Sequence, residues 1–344
     1  MNFRFMFLIG AAALQSGLLW AQGEASNTRL LFREQLQESI GLLEAASIGT
    51  ADERKCFTCH GQALPIAIAA EARLRGFQVD ERNIQRQVEH TLAHLKRGKK
   101  NYLIGKGQGG KVDTAGYALW GLEAGGHPPD EITSAVTEYL LKTERFVGHW
   151  KHGSNRPPSE SSDVTSTYVA LRALGAYGTN MQQERIGTHT AAASDWLMNC
   201  KTRDTEDRVF QLRGLAYLGK SEPRQQELAD ELIARQREDG GWAQTSEMTS
   251  DAYATGTVLT CLSRTGHLQA ADQAYQRGID FLMQSRQEDG SWHVVSRSVP
   301  FQAYFESGFP HGEDQFISTT ATAWAVMAML LSLDESKKAM PGEG

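Results

Sequence analysis

The sequence predicts an all-α chain whose six helix pairs close into a ring, an (α/α)6 toroid. Three observations carry that expectation. A unit of two helices recurs along the chain, one helix of each unit is built from small and apolar residues while its partner carries only an apolar stripe, and the starts of the small, apolar helices fall at a near-constant interval.

The N-terminal segment comes first. Arg4 precedes an apolar stretch from Met6 to Trp20 and the small-residue exit Ala21-Gln22-Gly23. This pattern predicts a cleaved export signal over residues 1–23 and a periplasmic or secreted mature chain. No later apolar segment reaches spanning length, so no stable membrane span is expected. Without residues 1–23 the chain keeps 34 basic against 41 acidic residues, a net charge of −7, which argues against nucleic acid as a partner. No Pro-, Ser- or Gly-rich linker divides the remainder, so residues 24–335 are expected to form one domain, with 336–344 a flexible tail.

Phe32, Leu36, Ile40 and Leu43 supply the first outer stripe, and Pro65–Arg75 the first inner helix. The later inner helices open at Asp113, Asp163, Asp207, Asp251 and Ser318, residues whose side-chain oxygen caps orphan amides. Most close on glycine, at Gly125, Gly175 or Gly178, Gly219 and Gly266. The four aspartate starts lie 50, 44 and 44 residues apart, whereas 68 residues separate Asp251 from Thr319, so an insertion precedes the sixth inner helix. Between them run amphipathic helices with stripes such as Ile132, Val136, Leu140 and Leu228, Leu232, Ile233.

Three turns punctuate the pairs: Gln236-Arg-Glu-Asp-Gly240-Gly-Trp242, Gln287-Glu-Asp-Gly290-Ser-Trp292 and the shorter Gly148-His149-Trp150. Glutamine bonds a helix end, glycine permits the turn, and tryptophan packs back over it. They resemble the QW repeat of the squalene-hopene cyclase and protein prenyltransferase group, over residues 30–335 by period and 130–335 by motif. The resemblance implies the toroid and leaves activity open, because such rings serve as cyclases, transferases and binding proteins. In squalene-hopene cyclases the middle acid of an Asp-x-Asp-Asp-Thr-Ala run protonates an alkene. The matching run here, Ser161-Ser162-Asp163-Val164-Thr165-Ser166, keeps only Asp163, a weak catalytic candidate that reads more readily as a helix cap. The prenyltransferase zinc ligands have no counterpart, since Cys261 lacks an acid two residues earlier. Leu64-Pro65, Arg156-Pro157-Pro158 and Phe305–Gln315 also resemble segments of bacterial squalene-cyclase-like proteins, a likeness that implies no particular activity.

Cys56-Phe57-Thr58-Cys59-His60 is the strongest chemical motif. Two residues between the cysteines suit thioether attachment to the two vinyl groups of a haem, and the adjacent imidazole suits an axial iron position. Cys56, Cys59 and His60 are therefore the expected binding residues for a covalent haem c. A redox dithiol would sit in a thioredoxin-like context that is absent, and no second cysteine pair completes a zinc site. His311, on the last insertion and close to the start of the sixth inner helix, is the expected second iron ligand, with His149, His152 and Met248 farther round the ring. The insertion carries Phe301, Tyr304, Phe305, Phe309 and Phe316, a lid or a haem cover. Cys200 and Cys261 stand alone among apolar neighbours and read as core residues, although an oxidising compartment permits a disulfide between them.

The leading functional expectation is an exported haem protein that passes electrons to a redox partner or performs haem-dependent oxidation. The alternative is a terpenoid cyclase or isomerase with accessory haem, acting on a small hydrophobic molecule. A haem-bearing binding module is a third. Asp163, Glu306, Glu313 and Asp314 also suit a carbohydrate-active mouth, and equally a solvated surface.

Overall fold

The computed structural model describes residues 8–143, 146–299 and 303–333, with side chains from Arg29 onward. Met1–Phe7 and the expected tail 336–344 lie outside the described residues. Helix α1 (Leu8–Glu53) runs without a break through the expected signal exit. Among the described residues no helix is long and apolar enough to cross a membrane.

Twelve α-helices are described, and they alternate between two layers. The inner layer is α2 (Leu64–Leu74), α4 (Lys111–Ala124), α6 (Asp163–Tyr177), α8 (Thr205–Tyr217), α10 (Ala252–Arg264) and α12 (Gln315–Leu331). The outer layer is α1, α3 (Glu81–Leu103), α5 (Glu131–Lys142), α7 (Gln183–Asn199), α9 (Glu222–Ile233) and α11 (Gln273–Ser285). Each inner helix packs on the next, and α12 returns to α2, so the ring closes as the sequence predicts. Burial follows pattern. α12 is buried all round except at Phe316, as an apolar helix must be, whereas α3 buries only the stripe holding Ile84, Val88, Leu95 and Tyr102. Gly256 lets α10 lie against the α12 backbone, for a Cβ there would stand 2.5 Å from the Trp324 carbonyl carbon.

The three tryptophan turns share one geometry. The indole N–H of Trp150, Trp242 and Trp292 donates to the carbonyl of Leu140, Leu232 and Leu282 at 2.9, 2.7 and 2.7 Å, each ten residues earlier at the end of an outer helix. Each tryptophan's amide takes a threonine hydroxyl of the following inner helix: Thr167, Thr255 or Thr322. Gly148, Gly240 and Gly290 hold φ near +87° beside them, a region open to glycine. Gln236 donates to Gly240 and onward to Ala274 of α11. Arg286, at the corresponding place in the last turn, reaches Gln35 on α1 instead, where the Ser39 hydroxyl donates to the Gly290 carbonyl at 2.6 Å. These bonds sew the last unit to the first.

Several expected helix starts move. Only Asp251 is a true cap, accepting from the Ala254 amide. Gly110, Ser162, Asp204 and Asp314 stand at the cap positions of α4, α6, α8 and α12, which places Asp113 and Asp207 on the third helical residue and Asp163 on the first. An acid in the first turn meets the same positive helix end as a cap does, so the sequence pattern does not separate the two. Pro65 does not divide the cysteine turn from α2: a π-helical turn, Cys59–Ala63, continues directly into that helix. Cys200 and Cys261 are free thiols.

Candidate functional site

All six inner helices start at one end of the ring, and three long connections meet there. The loop from Trp150 to Ser162 is drawn in by Asp113, whose carboxylate accepts from the amides of Gly153 and Ser154 at 2.8 and 3.0 Å and from the Ser166 hydroxyl. Arg156 and Glu160 then exchange backbone hydrogen bonds around a cis Pro157–Pro158 bond. That turn drives Glu160 inward until it is fully buried. Its carboxylate meets the Arg156 guanidinium at 2.6 Å and His60 Nε2 at 3.6 Å.

Burial lowers the His60 pKa and outweighs the Glu160 charge, which acts in the opposite sense, so the ring is neutral at pH 7. Burial also pushes the Cys59 thiol far up, and the neighbouring Glu160 charge adds to the effect, so this sulfur stays protonated. Deeper in the plug, burial raises Asp113 to about 6 and Glu206 to about 8. Glu206 accepts from the hydroxyls of Thr165 and Tyr253 at 2.8 and 3.0 Å. It is a neutral acid at pH 7.

Between this plug and the 303–317 segment lies a cavity of about 160 Å³. His60, Thr58 and Arg156 form its polar wall, and Phe305, Phe316 and Ile317 its apolar one. The lid is packed. Phe305 and Phe309 are buried, and the carbonyl oxygen of Ser307 lies so close to Gly49 of α1 that a Cβ there would approach to 2.1 Å. Phe301 lies outside the described residues.

The structure brings some of the expected site residues together and disperses others. His60 faces the cavity, Cys59 is buried in the core and Cys56 is exposed. The two sulfurs are thus presented unevenly, and attachment of one haem edge to both requires Cys59 to leave its buried seat beside Glu160. His311 does not line the cavity: its Nε2 lies 2.7 Å from the Ser291 hydroxyl, and its ring stacks on His293 at 4.6 Å, bracing the last tryptophan turn. Among the described residues no group of three or more His, Cys, Asp or Glu could hold a metal ion. Asp163 lies outside the cavity, held by His152 at 2.5 Å and by His149 at 3.4 Å; although half-burial opposes it, those bonds keep its carboxyl below the usual range. His149 stacks on Trp196. Met248 borders a separate groove beside Asp251. Glu313 lines the cavity, Glu306 bonds Tyr304, and Asp314 bonds His293.

Glu160 and Glu206 escape sequence reasoning, the first because a glutamate between Pro-Pro and Ser-Ser reads as a solvated loop acid. The signal was the pair Arg156 and Glu160, four apart across two prolines, a spacing that suits a closed turn.

The family model of the squalene-hopene cyclase C-terminal domain matches residues 166–342. No curated protein sequence matches the chain. Among solved structures, a variant of the type II terpene cyclase MstE from Scytonema, in complex with its substrate geranylgeranyl dihydroxybenzoate, superposes with a TM-score of 0.54 at 13% identity, covering 88% of this chain and 99% of that one. A protein from Actinoplanes gives 0.53 at 13%, covering 86% and 99%. An unsaturated glucuronyl hydrolase from Bacillus sp. GL1 gives 0.50 at 14%, covering 87% and 97%. At such identities the likeness is one of fold. Together with the family match it overturns the expectation of electron transfer or haem-dependent oxidation as the function and favours the cyclase alternative. The motif favoured that expectation because Cys-x-x-Cys-His is read locally, whereas the fold buries its second cysteine.

Proposed function

Because the chain belongs to the squalene-hopene cyclase C-terminal domain family, we propose that it is a cyclase- or isomerase-type protein that rearranges a small hydrophobic molecule of the terpenoid class in the mouth cavity. One observation carries this reading. An apolar, lidded cavity has as its inner wall a histidine kept neutral by burial and backed at 3.6 Å by a buried carboxylate.

The chemistry follows from that wall. The minor imidazolium form of His60, made more acidic by burial, gives its proton to an alkene of the bound molecule. The neutral ring then takes a proton from a carbon beside the cationic centre, and Glu160 stabilises the imidazolium present before and after the step. Phe305 and Phe316 exclude water, so a cationic centre generated in the cavity collapses by losing a proton rather than by hydration. The product has the mass of the substrate. Asp163 has no part in the step, being committed to His149 and His152 outside the cavity.

The test is incubation with squalene and with geranylgeranyl dihydroxybenzoate, followed by chromatography and mass spectrometry. A product of unchanged mass is expected from wild type and from a variant of His267, a histidine that contacts the Thr265 hydroxyl and does not line the cavity, namely His267→Gln, and none from His60→Gln. Absence of both binding and conversion across such a panel overturns the reading.

Accessory haem c on Cys56 and Cys59, with His60 toward the iron, is a proposal about cofactor content alone; His311, held by Ser291 away from the cavity, takes no part in it. It rests on the motif and on the place of His60 at the cavity wall. The two uses of His60 exclude each other, and intact mass after expression with a cytochrome c maturation system decides between them: an added haem mass removes His60 from proton handling. Export is likewise proposed from residues 1–23, and N-terminal sequencing of the mature chain tests it.

A further inference from the structure

The ring has a second cavity, at the end where the inner helices finish. It measures about 390 Å³, and all six inner helices contribute to its wall. Three arginines face it: Arg172, Arg213 and Arg264. Arg172 is paired with Glu123 at 2.6 Å, and Arg264 with Glu71, which also holds Arg75. Arg213 differs. Among the described residues it has no carboxylate partner; one terminal nitrogen donates to the Tyr168 hydroxyl at 3.1 Å, and the other, Nη1, is buried without an acceptor. Its guanidinium lies among the rings of Trp120, Tyr168, Phe210 and Trp324, 4.6 to 5.4 Å from their centroids. The wall holds a second orphan. Thr260 is 2% exposed, and its hydroxyl has no partner.

Helix ends alone do not explain this arrangement. Six C-termini carry partial negative charge and favour cations nearby, which suits arginine in general. A purely compensating arginine would bond the terminal carbonyls, however, and Arg213 Nη1 bonds nothing. A buried N–H of a charged group left without an acceptor is costly, and natural folds fill such a place with a water, an ion or a ligand. The local field agrees: burial alone would raise the Tyr168 hydroxyl, yet Arg213 and Arg172 together pull it below the ordinary tyrosine value.

We infer that this axial cavity binds the oxyanion head of an amphipathic molecule, a carboxylate or a phosphate, with Arg213 and Thr260 holding the head and Trp120, Trp324 and Met327 taking the adjoining apolar part. The guanidinium supplies a planar pair of donors, and the threonine hydroxyl a third. The ring faces of Trp120 and Trp324 fix the guanidinium plane, so its donors are oriented before the ligand arrives. This site lies at the opposite end of the ring from His60 and does not rest on the function proposed there.

Calorimetric titration of the full chain with dodecanoate, dodecyl phosphate and dodecanol tests it. One of the two anions is expected to bind at least about tenfold more tightly than the alcohol, and the tighter of the two identifies the head. Arg213→Gln should remove about tenfold of that preference, and Thr260→Val a smaller factor, with the circular dichroism of wild type retained. Should Arg213→Gln fail to fold, Thr260→Val and Arg213→Lys carry the test. Equal binding of dodecanol, no binding of either anion, or unchanged anion affinity in the folded variants overturns the inference.

Discussion

The two ends of the ring are chemical opposites built from the same six helices. At the starting end lie Asp113, Glu160, Glu206 and Asp251, all buried or nearly so; at the finishing end lie Arg172, Arg213 and Arg264. Parallel inner helices present their positive termini together at one end and their negative termini at the other, and each end has collected the charge that suits it. The resemblance stops at satisfaction. Asp113 is held by two amides and a hydroxyl, whereas Arg213 keeps a donor unmet. Helix ends therefore select the sign of a charge, and hydrogen bonding separates a structural charge from one held ready for a ligand.

Glu206 offers the largest effect for breaking that comparison. Burial raises its carboxyl from 4.5 to about 8, so the native state keeps a proton that the unfolded chain releases. Its contribution is full below the unfolded value and is lost as pH rises from 4.5 through 8, by about 5 kcal/mol. Melting temperatures measured across that window should fall with rising pH. Glu206→Gln should flatten the fall, leaving the smaller shares of Asp113 and Asp251, which burial raises to about 6. An unaltered slope in the variant would refute the assignment of Glu206 as a native neutral acid.

Gly49→Ala sharpens the comparison by disturbing the mouth alone. Its new Cβ meets the Ser307 carbonyl oxygen, so the lid must lift or α1 must shift, at about 1–3 kcal/mol. Limited proteolysis should cut the 303–310 segment faster than in wild type, while dodecanoate or dodecyl phosphate binding at the far end stays as it was. Arg213→Met should have the smallest effect, within about 1 kcal/mol, because an apolar side chain replaces a charge with an unmet donor and loses only the ring contacts and the bond to the Tyr168 hydroxyl. A loss of several kcal/mol in denaturant titrations would make Arg213 a structural pillar rather than a waiting group.

Much of the ring was legible because its signals are local. The period of 44 residues, the closing glycines and the turns at Trp150, Trp242 and Trp292 each arise within one unit. The degenerate copy at Gly148-His149-Trp150 proved as regular as the others, since the bond that matters runs from an indole to a carbonyl and needs no glutamine. The sites were less legible because they join distant segments. His60 stood out through its cysteines, but Glu160, one hundred residues later, becomes its neighbour only when Asp113 draws the loop inward. His311 lies on the long insertion, yet its partner is Ser291 of the tryptophan turn. Arg213 leaves a trace in the sequence: three consecutive inner helices each carry an arginine in their second half, at 172, 213 and 264.

The bond from Ser39 to Gly290 spans 251 residues of chain, whereas most other neighbours around the ring are about one unit apart. Closing so large a loop costs more chain entropy than any unit-to-unit contact, and it yields nothing until the intervening units are in place. These costs predict an order of assembly. Units add one to the next as an open arc, and the seam at Ser39, Arg286 and Gly290 shuts last. Loosening that seam, by Ser39→Ala for example, should leave the arc and its tryptophan turns formed while speeding the opening of the ring, so that hydrogen exchange rises first in α1 and α11.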